Sequence, residues 1–285
     1  MKRFLATVCF LWLAVAPSLA RAAEIRVAVA ANFVDCLAEL APLFAQRSGH
    51  RVTPIVGSTG RLFAQIRQGA PFDVFLAADA RRPRMLVDAE LALRPRVYAR
   101  GRLVFWSADG GLGRWSGWQD QARRDQARVD QPQTDQPQTD QIRTDQLQTH
   151  LLQALRNPNL RHVAIANPDL APYGRAADQT LESLGLDSRL GGRRVQGSSV
   201  GQVWQFAATG HAMGAFVAYA QVRAEPVERY LIVPDHLYQP IDQMAVLVAG
   251  SREPEAALSF LEFLAGDEAA AIIADCGYRI PESGP

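Results

Sequence analysis

The sequence predicts an α/β fold, and three observations carry that prediction. Short apolar or β-branched runs alternate with stretches at helical spacing over most of the chain, and each run ends in one or two small polar residues before the next helix opens. The third is size: 285 residues, 48% of them hydrophobic, supply material for two lobes without requiring them. Alternation of this kind implies parallel strands joined by right-handed crossovers.

The first residues read as an export address rather than as fold. Lys2 and Arg3 precede an apolar run from Phe4 to Ala16, then Pro17 and Ser18, then Ala20-Arg21-Ala22 in the small-x-small arrangement that a signal peptidase accepts. A spanning helix needs roughly 20 apolar residues, more than this run offers before Pro17. The expectation is a signal peptide over residues 1–22, cleaved near Ala22, and a periplasmic protein. Cys9 lacks the small residues that precede a lipid-attachment cysteine. The mature chain keeps Cys36 and Cys276, which can pair in an oxidising compartment, although sequence cannot show that their Cα atoms approach and the pairing is not favoured here.

In the mature chain Ile25–Ala31 reads as a strand, Asn32 as an N-cap, and Phe33, Cys36, Leu37, Leu40, Leu43 and Phe44 as one face of a helix that stops at Gly49. The unit repeats with a strand over Arg51–Gly57, the turn Ser58-Thr59-Gly60 and a helix ending at Gly69. Asp73–Asp79 and Leu103–Ala108 are strands. From Asp120 the dipeptide Asp-Gln then returns every five residues as far as Asp145, a period that fits neither helix face nor strand. With few apolar residues and with Pro132 and Pro137, residues 120–149 read as a solvated, largely disordered insertion. Structure resumes with the strand His162–Asn167, the turn NPDLAPYG and a helix over Arg175–Leu184. Next come Arg194–Gly197, the turn Ser198-Ser199 and a helix carrying Val200, Val203, Trp204 and Ala207. Strands over Ala212–Ala218, Tyr230–Val233 and Met244–Gly250 precede a helical region, Glu255–Asp275, divided near Gly266.

Charge and motifs exclude several classes. Thirty basic against 29 acidic side chains leave a net charge of +1, too little to draw in nucleic acid or an anionic membrane. There is no nucleophile elbow, Walker loop, paired-His helix or CxxC, and His50, His150, His162, His211 and His236 are scattered without ligand spacing, so no catalytic residue is assigned and an enzyme is not expected. What recurs is the junction from strand to helix, at Ala31-Asn32, Ser58-Thr59-Gly60, Pro172-Tyr173-Gly174 and Ser198-Ser199-Val200. Helix starts present unpaired N–H groups and a partial positive charge, so several of them meeting would bind an anion without lysine or arginine. Taken singly, each reads as an ordinary cap.

The blocks VAVAANF, GSTGRLFAQIRQGAPFDVFLAAD and NPDLAPYGRAA, supported by SSVGQVW, MGAFVAYAQV, MAVLVAG and CGYRIP, resemble the periplasmic molybdate-binding proteins of ABC importers, which are class II periplasmic binding proteins. The resemblance spans the mature chain apart from the repeat. It implies two lobes, each a mostly parallel sheet flanked by helices, with the ligand in the cleft between them; residues 23–99 with 234–285 would form one lobe and 100–233 the other. It implies a monomer that captures molybdate or tungstate, not separable from sequence, and delivers it to an inner-membrane permease. No cofactor is implied, and molybdenum would enter only as the oxyanion, without direct protein ligands.

The family's oxyanion contacts fall on Asn32, on Thr59 with Ser58 adjacent, on Tyr173 through its N–H and its hydroxyl, and on Val200. One branch adds a tyrosine hydroxyl where Val217 stands here, with Tyr219 two places on and on the same face of a strand. Asn32 with Tyr173 is typical of a sister branch, which leaves Tyr219 unneeded. Fold alone leaves sulfate, or a secreted enzyme on the same lobes, as alternatives.

The composition of the repeat yields a first prediction: excising Asp120–Thr149 and joining the ends by a short flexible linker leaves soluble expression and anion affinity unchanged, as read by denaturation and titration.

Overall fold

The computed structural model describes residues 22–108 and 137–281. Residues 1–21 of the expected signal peptide, and the repeat from Asp120 to Gln136, lie outside the described residues.

Two five-stranded sheets organise the chain. In the first, β1 (Glu24–Ala30) pairs in parallel with β2 (Arg51–Gly57) and β3 (Val74–Leu76), while β10 (Ile241–Val248) lies antiparallel between β3 and β4 (Ala92–Gly101). In the second, β6 (Val163–Ala166) is parallel to β7 (Arg194–Gly197) and β8 (Gly214–Ala218), and β5 (Leu103–Ser107) is antiparallel to β8 and to β9 (Tyr230–Ile232). The parallel half of each sheet is the strand–helix alternation legible in the sequence. The antiparallel half comes from strands that arrive from the other sheet.

Helices α1 (Val34–Ser48), α2 (Thr59–Arg67) and α3 (Arg81–Asp88) follow the first three strands. The second sheet carries α4 (Pro137–Arg156), α5 (Pro172–Ser183), α6 (Val200–Ala208) and the single turn α7 (Tyr219–Val222); α8 (Pro254–Leu264) and α9 (Asp267–Asp275) return to the first. Helix α1 forms because Cys36, Leu37, Leu40 and Phe44 make one buried stripe, and it stops where Gly49 takes a left-handed φ of 73°. Among the elements that escaped the pattern are α3 and β4. Helix α3 reads RRPRMLVD, too short and charged to show an apolar stripe, and β4 is an edge strand whose middle residues face solvent.

The chain crosses between the sheets twice, from Gly101 through Arg102 into β5 and from β9 back into β10. The crossings run side by side, since Ile241 pairs with Gly101 and the Val233 N–H bonds the Leu103 carbonyl. Asn32 follows a strand of the first sheet and Val200 a strand of the second.

Two sequence expectations need correction. The repeat does not stay irregular to Thr149: from Pro137 it is part of α4, where Leu147 packs on the core of the second sheet ahead of the fully buried Leu151 and Leu155. These leucines recur every fourth residue, and they convert a repeat with no helical period into an amphipathic turn. Excision to Thr149 therefore cuts a packed helix and costs about 1–2 kcal/mol for the Leu147 contact alone; a deletion that spares this helix ends at Gln136.

The second correction is the cysteine pair. Cys36 in α1 and Cys276 after α9 are joined in a disulfide, with Cα atoms 5.8 Å apart at a sequence separation of 240. The bond ties the C-terminal segment to the first helix. Closing so long a loop restricts the unfolded chain strongly, so reduction, or Cys36→Ser with Cys276→Ser, is expected to lower unfolding free energy by about 2–5 kcal/mol. Urea unfolding with and without reductant measures it, and coincident curves would contradict it.

Candidate functional site

The four strand-to-helix junctions meet in two pairs across the gap between the sheets. A side chain at Gly201, the second residue of α6, would stand 3.0 Å from the Ala31 Cβ, so the start of α6 abuts the end of β1. The Gly60 N–H, at the start of α2, donates to the Leu170 carbonyl just before α5 at 2.8 Å. Ala30 and Ala78 from the first sheet pack in one apolar cluster with Tyr173 and Val200 from the second. Gly174 lets α5 start this close to β6, because a side chain there would strike the Ala166 carbonyl.

Asn32, Ser58, Thr59, Tyr173 and Val200 are all buried, none more than 4% exposed. Among the described residues, the main-chain N–H groups of Asn32, Ser58, Tyr173 and Val200 have no hydrogen-bond acceptor. The Ser58 hydroxyl is buried without a partner and makes no cap bond to α2, although Ser58 stands at the cap position. Ser199, by contrast, is an ordinary cap, its Oγ accepting from the Gln202 N–H. Thr59 Oγ1 accepts from the Ala78 N–H at 3.0 Å, which leaves its own hydrogen free to donate. A buried donor without a partner costs about 1–3 kcal/mol, so a cluster of them is a place built for an acceptor from outside the chain. Because the donors are amides at helix starts and neutral hydroxyls, the acceptor they suit is an anion.

Behind the donors lies a polar network that sequence reasoning missed. Asn32 is not the cap of α1, whose cap position is Phe33. Its Nδ2 donates instead to Gln243 Oε1 at 2.9 Å and to the Tyr278 hydroxyl at 3.1 Å, while that hydroxyl donates to the Asn32 carbonyl at 2.6 Å. Both amide hydrogens are thus committed, and Asn32 has its main-chain N–H to offer a ligand. Gln243, fully buried in β10, also accepts from the Tyr98 hydroxyl at 3.1 Å and donates to the Tyr173 hydroxyl at 3.4 Å. The Tyr173 hydroxyl therefore points to the crossing strands, where only glycine at 101 leaves it room. Tyr173 too has its N–H left for the site. Gln243 was visible as the one amide inside an apolar strand, and Tyr278 lay within the CGYRIP block.

The structure does not bring Val217 and Tyr219 into this donor set. Val217 is an apolar side chain buried in the middle of the second sheet. The Tyr219 ring lies under the Arg102 guanidinium, 4.0 Å from its carbon, and against Gly277; its hydroxyl bonds Tyr230 and its N–H the Arg102 carbonyl.

Comparison with known proteins accords with this geometry. The profile of the bacterial extracellular solute-binding protein matches residues 25–279. The molybdate-binding protein ModA of Rhodobacter capsulatus is 40% identical over 261 residues, 91% of this chain and 89% of that protein. ModA of Azotobacter vinelandii is 36% identical over 266 residues, 92% of each. The structure of the Azotobacter vinelandii periplasmic molybdate-binding protein superposes with a TM-score of 0.75 at 34% identity, covering 91% of this chain and all of that one. Matched at this identity over nearly its whole length, the chain belongs to the bacterial extracellular solute-binding proteins and, within them, to the ModA molybdate-binding family.

Proposed function

We propose that this protein captures molybdate, or its near-isostere tungstate, in the periplasm and delivers it as a monomer to the permease of an ABC importer. It acts by binding and closing, not by turnover, and needs no cofactor. The observation that carries the reading is the convergence of buried, unpartnered donors from both sheets: the N–H groups of Asn32, Ser58, Tyr173 and Val200 with the Ser58 hydroxyl. A tetrahedral dianion has acceptor oxygens in four directions, and Thr59 can supply one hydrogen more. The lobes that close on it are 23–99 with 234–285, and 100–233. An anion that touches both favours the closed arrangement by its differential affinity for the two states.

Recognition by neutral donors sets its own conditions. None of the junction residues is ionic, so affinity for the anion should change little between low and moderate salt. Burial, the leading cause, raises the hydroxyl pKa of Tyr98, Tyr173 and Tyr278 well above the ordinary value, and neighbouring tyrosines add to it for Tyr98 and Tyr173. The network therefore stays protonated across the neutral and mildly alkaline range, and affinity should be level from about pH 7 to 9. The sign for stability follows from proton binding. Above about pH 10 the unfolded chain releases tyrosine protons that the folded chain still holds, so the stability present below that pH is lost as pH rises from there toward the raised folded values. Urea unfolding from pH 8 to 11 should show that fall, and a flat profile would contradict it.

Ser58→Ala and Thr59→Ala remove hydroxyl donors to a charged ligand and should weaken molybdate binding by about ten- to a hundredfold. Asn32→Ala keeps the main-chain donor and should cost less. Calorimetric titration with molybdate, tungstate and sulfate checks all three variants. Sulfate binding as tight as molybdate would overturn the ligand, and full affinity in both hydroxyl variants would overturn the site.

A further inference from the structure

Among the described residues, two polar contacts cross from one sheet's side to the other beside Ser58 and Thr59 without belonging to the donor cluster, while Arg223 crosses separately to Glu39 and the Asp275 carbonyl. One is the bond from the Gly60 N–H to the Leu170 carbonyl. The other comes from Arg82, at the start of α3, whose Nη2 donates to the Asp169 carbonyl on the opposite side. Both halves of that contact are fixed in advance. On the first side Asp79 holds Arg82 twice: its Oδ1 accepts the Arg82 main-chain N–H at 2.9 Å, and its Oδ2 pairs with Nη1. The two side chains are only 18% and 19% exposed, so water screens the pair weakly. On the second side, the Asn167 side chain accepts from the Asp169 N–H at 2.9 Å and its carbonyl accepts from Leu170 and Ala171, which sets the turn that aims the Asp169 carbonyl. The pair is also one residue from the donor cluster, since Ala78, the neighbour of Asp79, donates to Thr59 Oγ1.

We infer that Asp79 and Arg82 form an interlobe latch, a positioning pair that sets how long the closed, loaded state lasts without touching the anion. The inference rests on the reading that the cleft takes a tetrahedral anion. A planar guanidinium suits the task because it can face a carboxylate with one nitrogen and a carbonyl with another, whereas a lysine ammonium is a single point. The contact with Asp169 exists only when the sheets are together. Its loss should therefore speed opening and release while leaving capture by the open form unchanged. If Arg82 served only to complete the cap of α3, its removal would shift stability and leave release alone.

The experiment loads wild type, Arg82→Ala, Arg82→Lys, Arg82→Gln and Asp79→Asn with radiolabelled anion and follows its loss into an unlabelled excess. Equilibrium dialysis then gives the affinity, and so the association rate. Melting of the ligand-free variants confirms folding, with Arg82→Gln standing in if Arg82→Ala does not fold. The expected result is release about tenfold faster in Arg82→Ala and Arg82→Gln, nearly as fast in Arg82→Lys, and partway in Asp79→Asn, with association within about twofold throughout. Unchanged release, or slowed association with unchanged release, would overturn the latch. Molybdate, tungstate and sulfate are each tried on wild type. Uptake of sulfate alone overturns the ligand reading and still tests the latch, while uptake of none overturns both.

Discussion

Buried main-chain N–H groups left without an acceptor are costly to a folded chain, and the N–H groups of the buried residues Asn32, Ser58, Tyr173 and Val200 find no acceptor among the described residues. Much of the architecture can be read as what it takes to keep them there. Parallel strands place helix starts at one edge of each sheet; two adjacent crossing strands let the edges face each other; Gly201 against Ala31 and Gly60 against the Leu170 backbone let the edges approach closely. On the proposed function, a tetrahedral dianion would offer these donors the acceptors they lack.

The second requirement is rigidity behind the donors. Amides and hydroxyls work as a preformed site only if they cannot turn away, and the Asn32–Gln243–Tyr98–Tyr173–Tyr278 network supplies that. It uses groups that stay neutral, so it adds no charge to repel a dianion. It also spans the hinge: Gln243 lies on a strand of the first sheet and Tyr173 at the start of a helix of the second. The disulfide has a place in the same logic. It anchors the segment that carries Gly277 and Tyr278, and these hold, respectively, the Arg102–Tyr219 stack and the Asn32 carbonyl. The disulfide thus lies four residues from Asn32 and two from Tyr278, the residue that holds the Asn32 carbonyl.

How much of this was legible differs by element, and the differences have causes. Ser58 and Thr59 could be read because a hydroxyl pair between a strand and a helix is a local pattern, and the structure found Ser58 not capping. Asn32 was legible as a position but not as a chemistry, since its side chain is taken by partners 211 and 246 residues away. The surroundings of Tyr219 were hidden for the same reason, because the buried Arg102 that lies over its ring is invisible to strand periodicity. Helix α4 hid inside a five-residue repeat until leucines at every fourth place met the core.

The sequence by itself determined the α/β alternation, the four junctions and the neutrality of the donors, because each depends on residues within a few positions of one another. Tertiary structure alone decided which junction faces which, where Asn32 and Tyr173 turn their side chains, that β5 and β10 run antiparallel, and that Cys36 meets Cys276. Those outcomes depend on how two sheets pack about a shared pair of crossing strands. The contacts that settle them join residues as much as 246 positions apart, a separation over which local propensity carries no information.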